Sequence, residues 1–353
     1  MARPGPERTP PSASWGTHAR EPWRSWGPGP SSSMAAVRRV LVTGIGGYVG
    51  SSIARRLVDR CQVAGVGRGT KFGVLREIFG GRLELVECEM ADRDTLRRAA
   101  SGVDVVIHTA SPIVERYCRD HPEEAARTIV DGTRNVTEAA AEAGALLVHL
   151  STLSVYSSYR ERPMPLREDS ALLPDTTYGT LKAEAEREAA RIPSVILRIS
   201  NAYGVGGAVA PHAHMVTRLF VSRAIRAEPL MVLGEGAEGL DLIHVQDVAR
   251  FVEQVTVEPP GAPLVLNVSA GTTVTLRSLA ELVRQITLEH HGWAVEIRSE
   301  PVPAGKARPS RWLANDRARA LAPWFPAVAL ADGLREMVRC APQWAEPHRK
   351  ERL

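Results

Sequence analysis

From Val37 to about residue 199, short apolar runs alternate with segments whose apolar residues recur every three or four positions. The runs predict strands over 38–43, 62–66, 83–87, 104–108, 146–150 and 194–199. The segments between them predict helices over 47–59, 71–79, 92–100, 121–143 and 177–191. Strands that are apolar without strict alternation belong to a parallel sheet covered on both faces. After Asn201 the order changes. A loop over 203–215 leads to a helix near 215–227, a strand near 230 and mixed elements beyond. The expected architecture is α/β: a doubly wound parallel sheet over 37–200, then a smaller substrate-binding lobe over 201–345, with some later segments returning to the sheet.

The first glycine cluster adds chemistry to this pattern. In "VLVTGIGGYVGSSIARRL", Val40 to Leu57, an apolar run ends at Thr43 and glycines follow at 44, 46, 47 and 50. A helix N-terminus presents unpaired N–H groups and a partial positive charge. Glycines let the backbone approach a phosphate closely. The spacing lies between a strand and an amphipathic helix, the context in which it reads as a dinucleotide fingerprint. The sheet is therefore expected to be Rossmann-type.

A second strand ending in "VAGVGRGTK" bears on the cofactor. An acid at this tip binds the ribose 2′-hydroxyl of NAD, whereas an arginine accommodates the 2′-phosphate of NADP. Gly67 and Arg68 stand there, with no Asp or Glu. NADP(H) is expected over NAD(H), which stays open.

Tyr178 and Lys182 in "TTYGTLKAEAEREAA" are four apart and share a helix face. Lysine is otherwise scarce, at 71, 306 and 350 only. A nearby ammonium and a nicotinium ring favour the phenolate, bringing a tyrosine into the range of acid–base work. In "VHLSTLSVYSS" hydroxyls cluster where a strand ends; Ser151 or Thr152 is placed to donate to a carbonyl oxygen. The plain alternatives are a solvated Tyr–Lys pair and a hydroxyl-rich strand cap.

Together these segments resemble the extended short-chain dehydrogenase/reductase superfamily, in its NAD(P)-dependent nucleotide-sugar epimerase/dehydratase branch. The resemblance runs from about Val37 to Met337 through "TGIGGYVG", "DVVIHTAS", "VDGTRNVTEAA", "YGTLK", "LRISNAYG", "LMVLGEGAEGLDLIHVQDVARFV" and "DRARALAPWFPAVALADGLREMV". It implies that Tyr178 is the catalytic acid/base, that Lys182 holds the nicotinamide ribose, and that Thr152 is the catalytic hydroxyl, with Ser151 second. It implies cofactor contacts at Gly44, Gly46, Gly47, Tyr48, Val49, Gly50, Thr109, Ala110 and Ser111, and a substrate contact at Asn201. A homodimer acting on a nucleotide-sugar is expected.

Departures from the family pattern narrow the reaction. Leu153 and Ser154 stand where dehydratases carry an Asp-Glu pair, and the glutamate of related decarboxylases is missing too. Ile129 replaces a frequent Asn. Leu240 replaces a substrate-phosphate Arg, for which Arg218 or Arg308 are candidate substitutes. A 4-ketoreductase is expected. An epimerase, a ketoreductase of a substrate without a nucleotide, and a non-catalytic NADP-binding sensor are the alternatives.

The remaining features exclude more than they add. A net charge of +4 in 353 residues is too mild to argue for nucleic acid. No run spans a bilayer. Cys61, Cys88, Cys118 and Cys340 have no metal or redox spacing, which fits a reducing cytoplasmic setting. His212 and His214 lack further ligands, so no metal is expected. Residues 1–36 are rich in Pro, Gly and Ser and read as a disordered tail, with Met34 a candidate start and Trp15, Trp23 and Trp26 a candidate docking motif.

Overall fold

The computed structural model describes residues 37–112, 115–156, 162–206, 215–303 and 309–341. The tail, His212, His214 and Arg308 lie outside them. The chain opens with β1 (Arg39–Thr43), α1 (Tyr48–Leu57), β2 (Gln62–Gly67), α2 (Phe72–Phe79), β3 (Leu83–Glu87), α3 (Arg93–Ala100) and β4 (Val105–His108). Then follow α4 (Glu115–Asp120), α5 (Pro122–Ala126), α6 (Gly132–Ala143), β5 (Leu146–Thr152), α7 (Thr177–Ala189) and β6 (Ser194–Ile199).

The second half holds β7 (Asn201–Tyr203), α8 (Val216–Ile225), β8 (Leu230–Leu233), β9 (Gly239–Leu240), β10 (Leu242–His244) and α9 (Val245–Val257). It continues with β11 (Leu264–Val268), β12 (Val274–Thr275), α10 (Leu276–His291), β13 (Ile297–Glu300), α11 (Asp316–Leu321) and α12 (Leu330–Cys340).

Seven strands form one sheet in the order β3-β2-β1-β4-β5-β6-β11, every pair parallel. The strands are apolar on both sides because both faces are covered. In β1, Val40 and Val42 join a cluster with Ile53, Phe72 and Phe251, while Leu41 joins another with Leu96 and Val136. The seventh strand, β11, comes from the second half of the chain. A third cluster, centred on Phe220, Leu279, Val283 and Met337, lies among α8, α10 and α12. The strand order reverses between β1 and β4, and such a switch point leaves a ligand crevice at the C-terminal strand ends.

The helix expected over 121–143 is interrupted. A π-turn, Arg127–Asp131, separates α5 from α6, and α4 precedes them as a helix that the periodicity did not predict. The hydroxyl of Thr133 donates to the Ile129 carbonyl at 2.5 Å, competing for a helix acceptor. Gly132 approaches Met90 so closely that a Cβ there would lie 2.7 Å from the methionine Cβ.

Candidate active site

The β1–α1 turn is built around two glycines. Gly44 has φ +68°, and a side chain there would meet the Ala110 backbone and the Thr109 hydroxyl at 2.8 Å. A Cβ on Gly50 would fall 2.4 Å from the Gly44 carbonyl oxygen. Gly47 is exposed on the outside of the turn. Helix α1 has no side-chain N-cap and no acid in its first turn. Its N–H groups and positive end are unopposed, which fits a pyrophosphate. The Tyr48 hydroxyl donates to the Gly204 carbonyl at 2.9 Å and Val49 packs on the core. The side chains of Tyr48 and Val49 are thus engaged within the protein.

The tip of β4 is stitched to that turn. The Thr109 hydroxyl donates to the Thr43 carbonyl at 2.7 Å, and the Ala110 N–H to the Thr43 hydroxyl at 3.5 Å. At the tip of β2, Arg68 is exposed on a cavity of about 520 Å³ shared with Glu87, Glu89 and Asp92. Two residues here escaped the sequence reading. The Glu87 carboxylate reaches across from β3, so close that a Cβ on Gly69 would meet it at 2.7 Å. The Lys71 side chain packs over Gly46, 3.1 Å from a Cβ built there.

Tyr178 opens α7, whose N-cap Thr176 accepts the Gly179 N–H at 3.0 Å. The tyrosine ring is partly buried against Cys118, Ile129 and Leu181. The hydroxyls of Ser111 and Thr152 lie beside its phenol and draw its pKa down. Burial raises the phenol well above the ordinary tyrosine value, with a further push from Cys118, and these two hydroxyls only partly reverse it. In the ligand-free protein the phenol stays raised, and the Lys182 ammonium is not among the groups that lower it. The Lys182 ammonium instead donates to the Leu150 carbonyl at 2.7 Å, with His149 Nε2 at 3.5 Å. Burial lowers its pKa to about 8, partly countered by Glu186.

Two buried histidines flank this lysine. Thr133 already donates its proton to Ile129, so His108 Nε2 donates to Thr133 at 3.0 Å and its Nδ1 accepts from Thr43 at 2.7 Å. Burial, then Lys182, lowers His108 to about 3, and burial, Lys182 and His108 push His149 well below the ordinary histidine value.

The two hydroxyls of β5 have different partners. Ser151 donates to Glu186 within a buried network, in which Arg198 grips Glu186 at 2.8 and 3.0 Å and donates to the Tyr156 hydroxyl at 2.9 Å. Thr152 accepts the Ser154 N–H at 3.2 Å and adjoins Tyr178. Asn201 is exposed on β7 and donates from its side chain to the Asp241 carbonyl at 2.9 Å. Leu240 packs into the apolar cluster of the second half, and Ile129 fills the cluster under Tyr178. No group of metal-ligating side chains occurs among the described residues, and no described helix is long and apolar enough to cross a membrane.

Residues 40–268 match the NAD dependent epimerase/dehydratase family. The chain belongs to that family. UDP-glucose 4-epimerase of Azospirillum brasilense is 30% identical over 88% of this chain and 92% of its own. UDP-N-acetyl-alpha-D-glucosaminuronate decarboxylase of Bacillus cytotoxicus is 24% identical over 86% of this chain and 97% of its own. The structure of DesIV, a dTDP-glucose 4,6-dehydratase from Streptomyces venezuelae with NAD and TYD bound, has a TM-score of 0.74 at 26% identity, covering 86% of this chain and 97% of that one. As a member of the family this chain is an NAD(P)-dependent enzyme. Its relatives divide among epimerase, decarboxylase and dehydratase, so the family alone does not fix the reaction.

Proposed function

We propose that this enzyme reduces a keto group of a nucleotide-linked sugar, at C4, with NADPH. The observation that carries the reading is a strand that ends at Thr152, beside Tyr178, without a carboxylate at 153 or 154. Dehydration and decarboxylation in the relatives' family use acids at that strand end. Leu153 is buried in an apolar cluster instead.

The bound nicotinamide supplies the hydride. The chain's own groups do the rest. Thr152 donates a hydrogen bond to the carbonyl oxygen and polarises it. Tyr178 gives that oxygen its proton, becoming a phenolate. Lys182 faces the ribose and stabilises the phenolate by charge. The glycine turn holds the pyrophosphate, and Arg68 with Lys71 supplies cations near the adenosine end, Arg68 for a 2′-phosphate. Gly44, Gly46, Gly47, Gly50, Thr109, Ala110 and Ser111 line this path. Asn201 opens the lobe that takes the substrate. A homodimer and a cytoplasmic setting, with all four cysteines free, complete the reading.

The second reading is an epimerase, favoured by the relative from Azospirillum brasilense. The absorbance of NADPH with a panel of nucleotide-linked 4-ketosugars separates the two. One NADPH consumed per product supports the reductase. Interconversion of isomers with no net consumption establishes the epimerase.

A further inference from the structure

The segment after β4 meets Tyr178 at two places. Ser111 lies beside its phenol and draws its pKa down. Glu115, at the start of α4, reaches its backbone: one carboxylate oxygen accepts the Tyr178 N–H at 2.8 Å and the other the Thr177 N–H at 3.2 Å. The first N–H groups of a helix have no partner inside it. Here Thr176 takes the one from Gly179, and Glu115 takes the two before it. A carboxylate at this end also meets the positive pole of α7. Its hydrogen bonds are charge-assisted, the stronger kind.

The same helix places Cys118 in the apolar cluster of Leu181 and Ala185, with the Tyr178 ring against it. Upstream, Thr109 touches the glycine turn. The stretch thus touches the phosphate cradle, the phenol and the first turn of α7. The direction of a helical side chain follows from its backbone. Whatever fixes the N–H of Tyr178 also fixes where its phenol stands. A misplacement of about 1 Å at a reacting group can cost about 10²-fold in rate.

We propose that Glu115 is a positioning residue for Tyr178: its carboxylate locks the first turn of α7 so that the phenol stands where the substrate oxygen arrives. The proposal rests on the reading of Tyr178 as proton donor and adds a residue that this reading does not itself need.

The test compares the full chain with Glu115→Ala and Glu115→Gln. In the ligand-free proteins, amide hydrogen exchange at Thr177 and Tyr178 is expected to rise about tenfold or more in Glu115→Ala, the effect of one charged hydrogen bond, with α6 unchanged. In turnover, kcat is expected to fall about 10- to 100-fold while the KM for cofactor stays within about twofold. Glu115→Gln keeps one acceptor oxygen and is expected to recover part of both losses, and it serves as the test should Glu115→Ala not fold. Unchanged exchange at 177 and 178 overturns the proposal by removing the contact. Faster exchange with kcat within about twofold overturns it by removing the consequence. Should Tyr178→Phe retain full activity, the proton-donor reading itself fails, and the proposal with it, whatever the exchange shows.

Discussion

The ammonium of Lys182 donates to the carbonyl of Leu150, two residues before Thr152 on the same strand. The helix that carries Tyr178 is thereby tied to the strand that carries Thr152. The tie is made by a charge that burial disfavours.

That cost is measurable. Burial takes Lys182 from 10.5 to about 8. Between these values the unfolded chain binds more protons than the folded one, so the stability from this group rises with pH through that window. Below it the buried ammonium costs about 3 kcal/mol, part of which is offset by its bond to Leu150. In ligand-free Lys182→Met the cost is gone. The melting temperature of the variant relative to the parent is expected to be most favourable near pH 7 and to fall as pH rises toward 10.5, although the variant is inactive. A difference that does not move with pH contradicts the assignment of a depressed lysine.

Tyr178→Phe removes the proton donor and leaves the ring in its apolar contacts with Cys118 and Leu181. Turnover is expected to fall by about 10²- to 10⁴-fold, with cofactor affinity retained. Kinetics on the reduced 4-ketosugar, beside a cofactor titration, check both halves.

How much of this was legible in the chain depends on the kind of signal. Sheet, glycine turn and the Tyr178–Lys182 pair were, because period and spacing are local properties. The π-turn was not, since it depends on Thr133 finding the Ile129 carbonyl and Gly132 meeting Met90, both set by packing. The ligand-free partner of Lys182 was not legible for the same reason: four residues apart on a helix predicts nearness to Tyr178, but the ammonium donates to Leu150 with His149 beside it. Glu115 and Glu87 are ordinary glutamates in the sequence. Only the tertiary fold brings one to the N-terminus of α7 and the other to Gly69. Ser151 and Thr152 were equivalent as neighbours, and the alternation of β5 gives them separate partners.

Glu87 sets up a direct contest at the adenosine end. Arg68 suits a 2′-phosphate, while a carboxylate beside Gly69 suits a 2′-hydroxyl. With Arg68 dominant, Arg68→Ala is expected to weaken NADP(H) by about tenfold or more, in the range of one charged hydrogen bond, and to leave NAD(H) nearly unchanged. Glu87→Gln is expected to improve NADP(H). Dissociation constants for both cofactors decide the matter: tighter NAD(H) binding in the parent, or no NADP(H) loss in Arg68→Ala, rules the preference out.

Beneath the site, Glu186 and Arg198 are both about 5% exposed and are joined by three hydrogen bonds. Ser151 and the Tyr156 hydroxyl complete the group, and Tyr156 donates onward to Asn267 at 2.8 Å. Glu186 projects from α7, one turn after Lys182, and Arg198 from β6. The pair therefore ties α7, which carries Tyr178 and Lys182, to the sheet. Removing one partner strands a buried charge, which costs about 3–5 kcal/mol, whereas replacing both by apolar groups of like volume is often neutral. Glu186→Ala is expected to lose stability in that range by denaturant unfolding. The double variant Glu186→Leu with Arg198→Met is expected to regain much of it, and its kcat then reports on the helix placement alone. If the double variant is as stable as the parent and fully active, the pair contributes neither stability nor placement. If it is stable but slow, the ion pair is kept for the position of Tyr178 and Lys182.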